Sequence, residues 1–125
     1  MTCFWDGMLQ ALNDNDFKVK LKCNKPNRDQ LIDLFKTHNC PTLVKWQNSK
    51  LTVNELKENF DHIKTFDKKS IHNGYLCSTC DPFLLLLAEL LQVDITHHYM
   101  NNVVNYTVYK PRRKLTFHSN KGHFW

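Results

Sequence analysis

The stretch that decides the fold is DPFLLLLAELL, residues Asp81 to Leu91. Asp81 is a suitable helix N-cap, and Pro82 is favoured at the first helical position. The residues that follow are apolar on nearly every side, so a helix here must be buried. Because the run includes Glu89 and is far shorter than the roughly 20 residues needed to cross a bilayer, it predicts a core helix and no membrane partner.

After this helix the sequence changes character. Three segments rich in β-branched and aromatic residues follow, with Asn101-Asn102 and Pro111-Arg112-Arg113 between them; they are Val93-Asp94-Ile95, Val103 to Tyr109 and Leu115-Thr116-Phe117. They predict a small antiparallel sheet in the C-terminal third of the chain.

The residues before the core helix predict three more helices. The first runs from Cys3 to Leu12, the second begins at the cap Asn27, and the third begins at Thr52, where Glu55 completes a capping box. Between the first two, apolar and polar residues alternate, which predicts a short strand or extended segment with Phe17, Val19, Leu21 and Cys23 on one face. The whole is an α+β domain with N-terminal helices packed on a small C-terminal antiparallel sheet.

Composition narrows the class of protein. At 125 residues, with 42% hydrophobic and 23% charged residues, the chain is one folded domain rather than a disordered one. The net charge is +5, but no RNA-binding signature accompanies the basic cluster, so we expect a solvated turn and no nucleic-acid partner; the cluster is Lys110, Arg112, Arg113 and Lys114. Five cysteines and no apolar leader favour a reducing, cytoplasmic setting over a secreted disulfide scaffold.

The two ends of the chain carry the parts of a thiol-dependent active site. Thr2-Cys3-Phe4-Trp5 opens the first helix, and Gly122-His123-Phe124-Trp125 follows the last strand. Attack on a carbonyl needs a thiolate, which a helix N-terminus and a nearby imidazolium both favour. Either residue alone is more often incidental, but together they predict Cys3 as nucleophile and His123 as its base.

A third catalytic residue is harder to assign. The side-chain carbonyl of Asn120 can accept a hydrogen bond from Nδ1–H of His123 and turn the other ring nitrogen toward Cys3. A turn residue at the same position explains Asn120 equally well. The backbone N–H of Cys3 is one predicted donor to an oxyanion, and its partner donor is open.

Two further groups have more than one interpretation. Cys77-Ser78-Thr79-Cys80 offers two zinc ligands, but zinc needs four and no second pair has the right spacing. Packing of Cys77 and Cys80 before the core helix is the alternative, and we expect no cofactor. His97-His98-Tyr99 is predicted to form an exposed polar strand edge, and the alternative is a contact with a protein partner.

In this order the motifs resemble the ovarian-tumour (OTU) family of papain-like cysteine proteases, which are mostly deubiquitinases. Cys3-Phe4-Trp5 resembles the start of the family's nucleophile helix, and Gly122-His123-Phe124 resembles its histidine motif. Asn73-Gly74-Tyr75, with the Leu-Ala-rich helix to Leu91 and Val93-Asp94-Ile95, resembles the middle of the family. Leu115-Thr116-Phe117 resembles a last strand.

Two positions depart from the family pattern. The Asp three residues before the nucleophile falls before position 1, together with the glycine loop that shapes the oxyanion hole. The acid or amide two residues after the histidine is replaced by Trp125. Either the chain is cut tightly around its core, or His123 is oriented by another group.

The resemblance implies a single OTU-like cysteine protease domain over residues 1–125. Such a domain hydrolyses isopeptide or peptide bonds after the C-terminal glycine of ubiquitin or a ubiquitin-like protein. The compact size, the richness in Lys and Asn and the divergent motifs suggest a viral or mobile-element enzyme excised from a polyprotein. We expect it to be a monomer, in the host cytoplasm if viral. Three alternatives stay open: a papain-like viral protease that processes its own polyprotein, a module that binds ubiquitin or RNA without turnover, and a small zinc-binding interaction domain.

Overall fold

The computed structural model describes residues 2–125, and in it the core helix is surrounded by the other elements. Within that range there are six helices, namely α1 (Cys3–Gln10), α2 (Asp14–Leu21), α3 (Arg28–Thr37), α4 (Val53–Thr65), a 3₁₀ helix (Lys68–Asn73) and α5 (Pro82–Leu91). The strands are β1 (Lys45–Trp46), β2 (Ser49–Lys50), β3 (Asp94–Tyr99), β4 (Asn102–Thr107) and β5 (Lys114–Ser119). The predicted α+β class is confirmed.

Short-range capping chemistry sets the helix starts as predicted. The Asp81 carboxylate accepts hydrogen bonds from the backbone N–H groups of Phe83 and Leu84, which begins α5. Asn27 and Thr52 each form a complete capping box at the starts of α3 and α4. α5 is buried along nearly its whole length, and none of the helices in residues 2–125 has the length and apolar character to cross a membrane.

The sheet differs from the prediction in direction and in membership. Its strand order is β2-β1-β4-β3-β5, so it also recruits two short strands from the middle of the chain. β3 pairs antiparallel with β4 but parallel with β5. β5 is parallel to β3 because the segment between β4 and β5 crosses to the side of β3 that is opposite β4. In this segment the Arg112 N–H donates a hydrogen bond to the carbonyl of Gln92. The antiparallel prediction was therefore wrong for β5.

The strand predicted around Phe17 is wrong, because this segment is helix α2. Asn13 and Asp16 form a reciprocal capping box that starts the helix. Phe17 and Leu21 lie four residues apart on one helical face and pack toward the core, whereas Val19 is 45% exposed. The capping box at Asn13 and Asp16 therefore determines the structure of this segment, and the alternation of apolar and polar residues does not.

The prediction of a solvated basic turn is wrong for Arg112 and Arg113, because both arginines bind the buried Asp16. Arg113 forms two hydrogen bonds with its carboxylate, at 2.7 and 3.0 Å, and Arg112 adds a third at 3.1 Å. Burial would raise the pKa of Asp16, but the hydrogen bonds from Arg113, the Asn13 N–H and Arg112 outweigh it and hold that pKa below its usual value. The two arginines join the β4–β5 connection to α2.

His97 is not on an exposed edge as predicted, because β3 is an internal strand and the His97 side chain is fully buried. Its Nε2 lies 2.6 Å from Oγ of Ser119. Burial, with smaller contributions from the nearby charges of His98 and His118, lowers the pKa of His97 to about 4. The imidazole is therefore neutral at pH 7.

The buried histidine predicts a loss of stability on acidification. The unfolded chain binds a proton at this residue as pH falls below 6.5, whereas the folded chain binds it only near pH 4. The free energy of unfolding should fall through this window by about 1.4 kcal/mol per pH unit at most. Urea denaturation at several pH values should show a flatter profile for His97→Gln than for the parent chain, and equal slopes would contradict the assignment.

Candidate active site

Cys3 is the first residue of α1 and is half-buried. The residue before it, Thr2, makes no side-chain cap, since its hydroxyl donates to Asp6 at 2.7 Å and accepts from Arg28 at 2.6 Å. The N–H groups of the first turn therefore have no capping side chain to satisfy them. This leaves the positive end of the helix available to negative charge that develops near Cys3.

His123 lies on a tight turn that follows β5. The Asn120 N–H donates to the His123 carbonyl at 3.0 Å, and the chain then reverses so that Phe124 forms an isolated β-bridge with Ser119. Trp125 and His118 exchange both of their backbone hydrogen bonds, at 2.7 and 2.8 Å. The exposed His123 side chain is thus presented by a short hairpin at the end of the chain.

The two residues predicted as a pair meet. Nδ1 of His123 lies 3.3 Å from Sγ of Cys3, although 120 positions separate them in the sequence. This distance suits a shared proton between a thiol and an imidazole. Among residues 2–125, no other cysteine has a hydrogen bond with an imidazole.

The contact depends on close packing between the two ends of the chain. A Cβ atom added to Gly7 of α1 would lie 2.7 Å from Cδ1 of Phe124. Glycine lets the aromatic ring reach the helix backbone, and Phe124 is held there by ring contacts with Phe4 at 4.9 Å and Phe117 at 5.1 Å. Sequence reasoning missed Gly7, whose only signal was a glycine in the middle of a predicted helix.

Asn120 does not orient His123 in the predicted way. Its side-chain carbonyl accepts the N–H of Gly122 at 2.9 Å, which makes it a turn residue. The nitrogen that Asn120 was expected to hold, Nδ1 of His123, is instead the one that faces Cys3. The prediction assigned the two ring nitrogens the wrong way round.

Cys3 and His123 lie in a groove of about 410 Å³. One wall is the segment 73–77 and the other is the turn 119–124, with Cys3 and Phe4 also lining the groove. Gly74 has φ +81°, a conformation that other residues rarely adopt, and no atom lies within 4 Å of the place where its Cβ would be. The backbone at Gly74 is therefore accessible from the groove.

A buried carboxylate supports the wall that contains Gly74. Asp81 accepts hydrogen bonds from the Tyr75 hydroxyl at 3.0 Å and from the Ser78 N–H at 3.1 Å, in addition to its role as the cap of α5. Burial raises the pKa of Asp81 against these hydrogen bonds, and it also raises the pKa of Tyr75. The sequence identified Asp81 as a cap but gave no sign that it also fixes the groove.

The CxxC pair lies beside this network. Burial raises the pKa of Cys77, and burial with the charges of Glu55 and Asp81 raises the pKa of Cys80 to about 11. Both are therefore thiols at neutral pH. In the part of the chain that the structure describes, no three His, Cys, Asp or Glu side chains converge as metal ligands.

No family model, curated protein or solved structure matches this chain. The chemistry of the groove is therefore inferred from its own residues. A thiol, an imidazole and an uncapped helix N-terminus meet at Cys3 and His123. Together these groups can carry acyl transfer through a cysteine thiolate.

The Gly7 packing yields a prediction. Gly7→Ala should lower the free energy of unfolding by about 1–3 kcal/mol, because the added methyl overlaps the Phe124 ring and more than cancels the gain in helix propensity of about 1 kcal/mol. It should also slow alkylation of Cys3, since moving Phe124 moves its neighbour His123. Chemical denaturation and mass spectrometry of the Cys3 peptide measure the two effects.

Gly122→Ala is the matched control, because an added Cβ there has no atom within 4 Å. It should leave both quantities near those of the parent. If Gly7→Ala behaves like Gly122→Ala, the close approach of Phe124 does not hold the site together.

Proposed function

We propose that this chain is a thiol-dependent hydrolase of OTU type that cleaves peptide or isopeptide bonds after the C-terminal glycine of ubiquitin or a ubiquitin-like protein. The observation that carries the proposal is the 3.3 Å contact between Cys3 and His123 in the groove. The order of motifs along the chain supports the OTU type and the choice of ubiquitin.

In the proposed reaction, the Cys3 thiol gives its proton to Nδ1 of His123, and the thiolate attacks the carbonyl carbon of the terminal glycine. The carbonyl oxygen gains negative charge near the N-terminus of α1, where the N–H groups are uncapped. The imidazolium then returns its proton to the departing amine as the C–N bond breaks. Water hydrolyses the resulting thioester, with His123 again acting as base.

The groove suits an extended main chain with small residues. Gly74 and Gly122 contribute no side chains to the two walls, so a peptide can approach the backbone on both sides of Cys3. Leu76 on the first wall is 75% exposed and offers an apolar contact to residues further along the substrate. A flexible tail that ends in glycine has these properties.

A ubiquitin probe with a C-terminal electrophile tests the proposal. The parent chain should form a covalent adduct on Cys3, and Cys3→Ala should form none. His123→Ala should react roughly 100-fold more slowly or worse, because general-base catalysis contributes about that much. Cys23→Ala is the matched control, since Cys23 is a half-buried thiol outside the groove, and it should react like the parent.

Diubiquitin cleavage separates the proposal from its competitors. Release of monoubiquitin by the parent but not by Cys3→Ala supports a deubiquitinase. A folded parent that neither reacts with the probe nor cleaves diubiquitin contradicts the proposal. In that case, cleavage of polyprotein junction peptides would indicate a processing protease, and retained ubiquitin binding by both parent and Cys3→Ala would indicate a binding module.

A further inference from the structure

Four aromatic rings form a continuous stack that ends at the candidate base. The His123 ring lies on the Trp125 ring, with centroids 5.1 Å apart and planes 22° apart. Trp125 lies on His118 at 5.7 Å and 15°, and His118 lies on His98 at 4.7 Å and 11°. The planes are near parallel throughout, so the orientation of each ring constrains the next.

The stack is anchored to the sheet. His98 and His118 are directly paired neighbours on the parallel strands β3 and β5. Two backbone hydrogen bonds join Trp125 to His118, so the backbone from which the indole extends is held beside His98 and His118. His97, one residue along β3, is buried toward the core, which places His98 on the opposite face of the sheet.

In residues 2–125, no hydrogen bond from a side chain other than Cys3 fixes the orientation of the His123 ring. Its Nδ1 is engaged with Cys3, and the Asn120 carbonyl is used within the turn. Within residues 2–125, His123 has no other hydrogen bond that would fix the plane of its ring. An exposed imidazole without such a constraint would rotate Nδ1 away from the thiol.

We infer that Trp125 is the positioning residue for His123, a role that rests on the proposed function. The indole face holds the imidazole plane so that Nδ1 points at Cys3. The same face stabilises the imidazolium that forms when Cys3 loses its proton, because an aromatic ring attracts a cation stacked on it. Trp125 thus supplies orientation and charge stabilisation at the position where the OTU pattern has an acid or amide.

The test compares Trp125→Leu with Trp125→Phe. Leucine keeps the apolar bulk but has no aromatic face, whereas phenylalanine keeps the face. Trp125→Leu should lower kcat for diubiquitin cleavage roughly 10- to 100-fold with little change in KM, because a misplaced base affects the chemical step. Trp125→Phe should restore most of the loss. Tyr109→Leu removes an exposed aromatic outside the groove and should behave like the parent.

A second readout needs no ubiquitin. The rate of Cys3 alkylation by iodoacetamide should be measured against pH by mass spectrometry for each variant. In Trp125→Leu the rise in rate should move to higher pH, because the thiolate–imidazolium pair is less stable, and Trp125→Phe should move it back. A purely structural role would not shift this profile. If Trp125→Leu does not fold, Trp125→Gln gives the same comparison with a flat side chain that lacks an aromatic face.

The outcomes separate the two claims. If Cys3 in the parent reacts no faster than Cys3 in His123→Ala, the thiol–imidazole pair fails, and both the proposed function and the role of Trp125 fall. If His123→Ala is slow but Trp125→Leu matches the parent in kcat and in pH profile, only the role of Trp125 is wrong. Equal losses in Trp125→Leu and Trp125→Phe would also overturn it, since the aromatic face would not matter.

Discussion

The packing of the Phe124 ring against Gly7 is the contact on which the candidate site depends. A glycine inside a helix lowers stability by about 1 kcal/mol relative to alanine, but it allows another group to approach the helix backbone closely. Here that is Phe124, whose ring would overlap any added Cβ. The same ring contacts Phe4 and Phe117, which joins α1 to β5. Because His123 precedes Phe124, this packing fixes where the imidazole meets Cys3.

The features that the sequence predicted well are those that short-range chemistry determines. The caps at Asn27, Thr52 and Asp81 each act within three residues, so their helices could be read directly from the sequence. The Cys3 and His123 prediction needed more. It used a helix N-terminus, a late strand and the order of motifs, and the structure places those two side chains in contact.

The features that the sequence did not predict depend on partners far along the chain. Asp16 is buried because Arg113, 97 positions away, neutralises it, and the same ion pair joins α2 to the segment that precedes β5. His97 is buried because β3 is internal, which depends on β5 joining it. Asn120 is a turn residue, a role that residues close in the sequence determine. Whether it could also orient His123 depended on which ring nitrogen of His123 faces Cys3, and that contact joins the two ends of the chain.

The contact between Nδ1 of His123 and Sγ of Cys3 is the central claim, and nitrogen NMR of the histidine side chains measures it without any substrate. Replacing Cys3 with serine should change the Nδ1 chemical shift of His123, while the nitrogen shifts of the exposed His38 at the end of α3 should stay the same. If the His123 signals of parent and Cys3→Ser superimpose at every pH, the two ends of the chain do not form a thiol–imidazole pair.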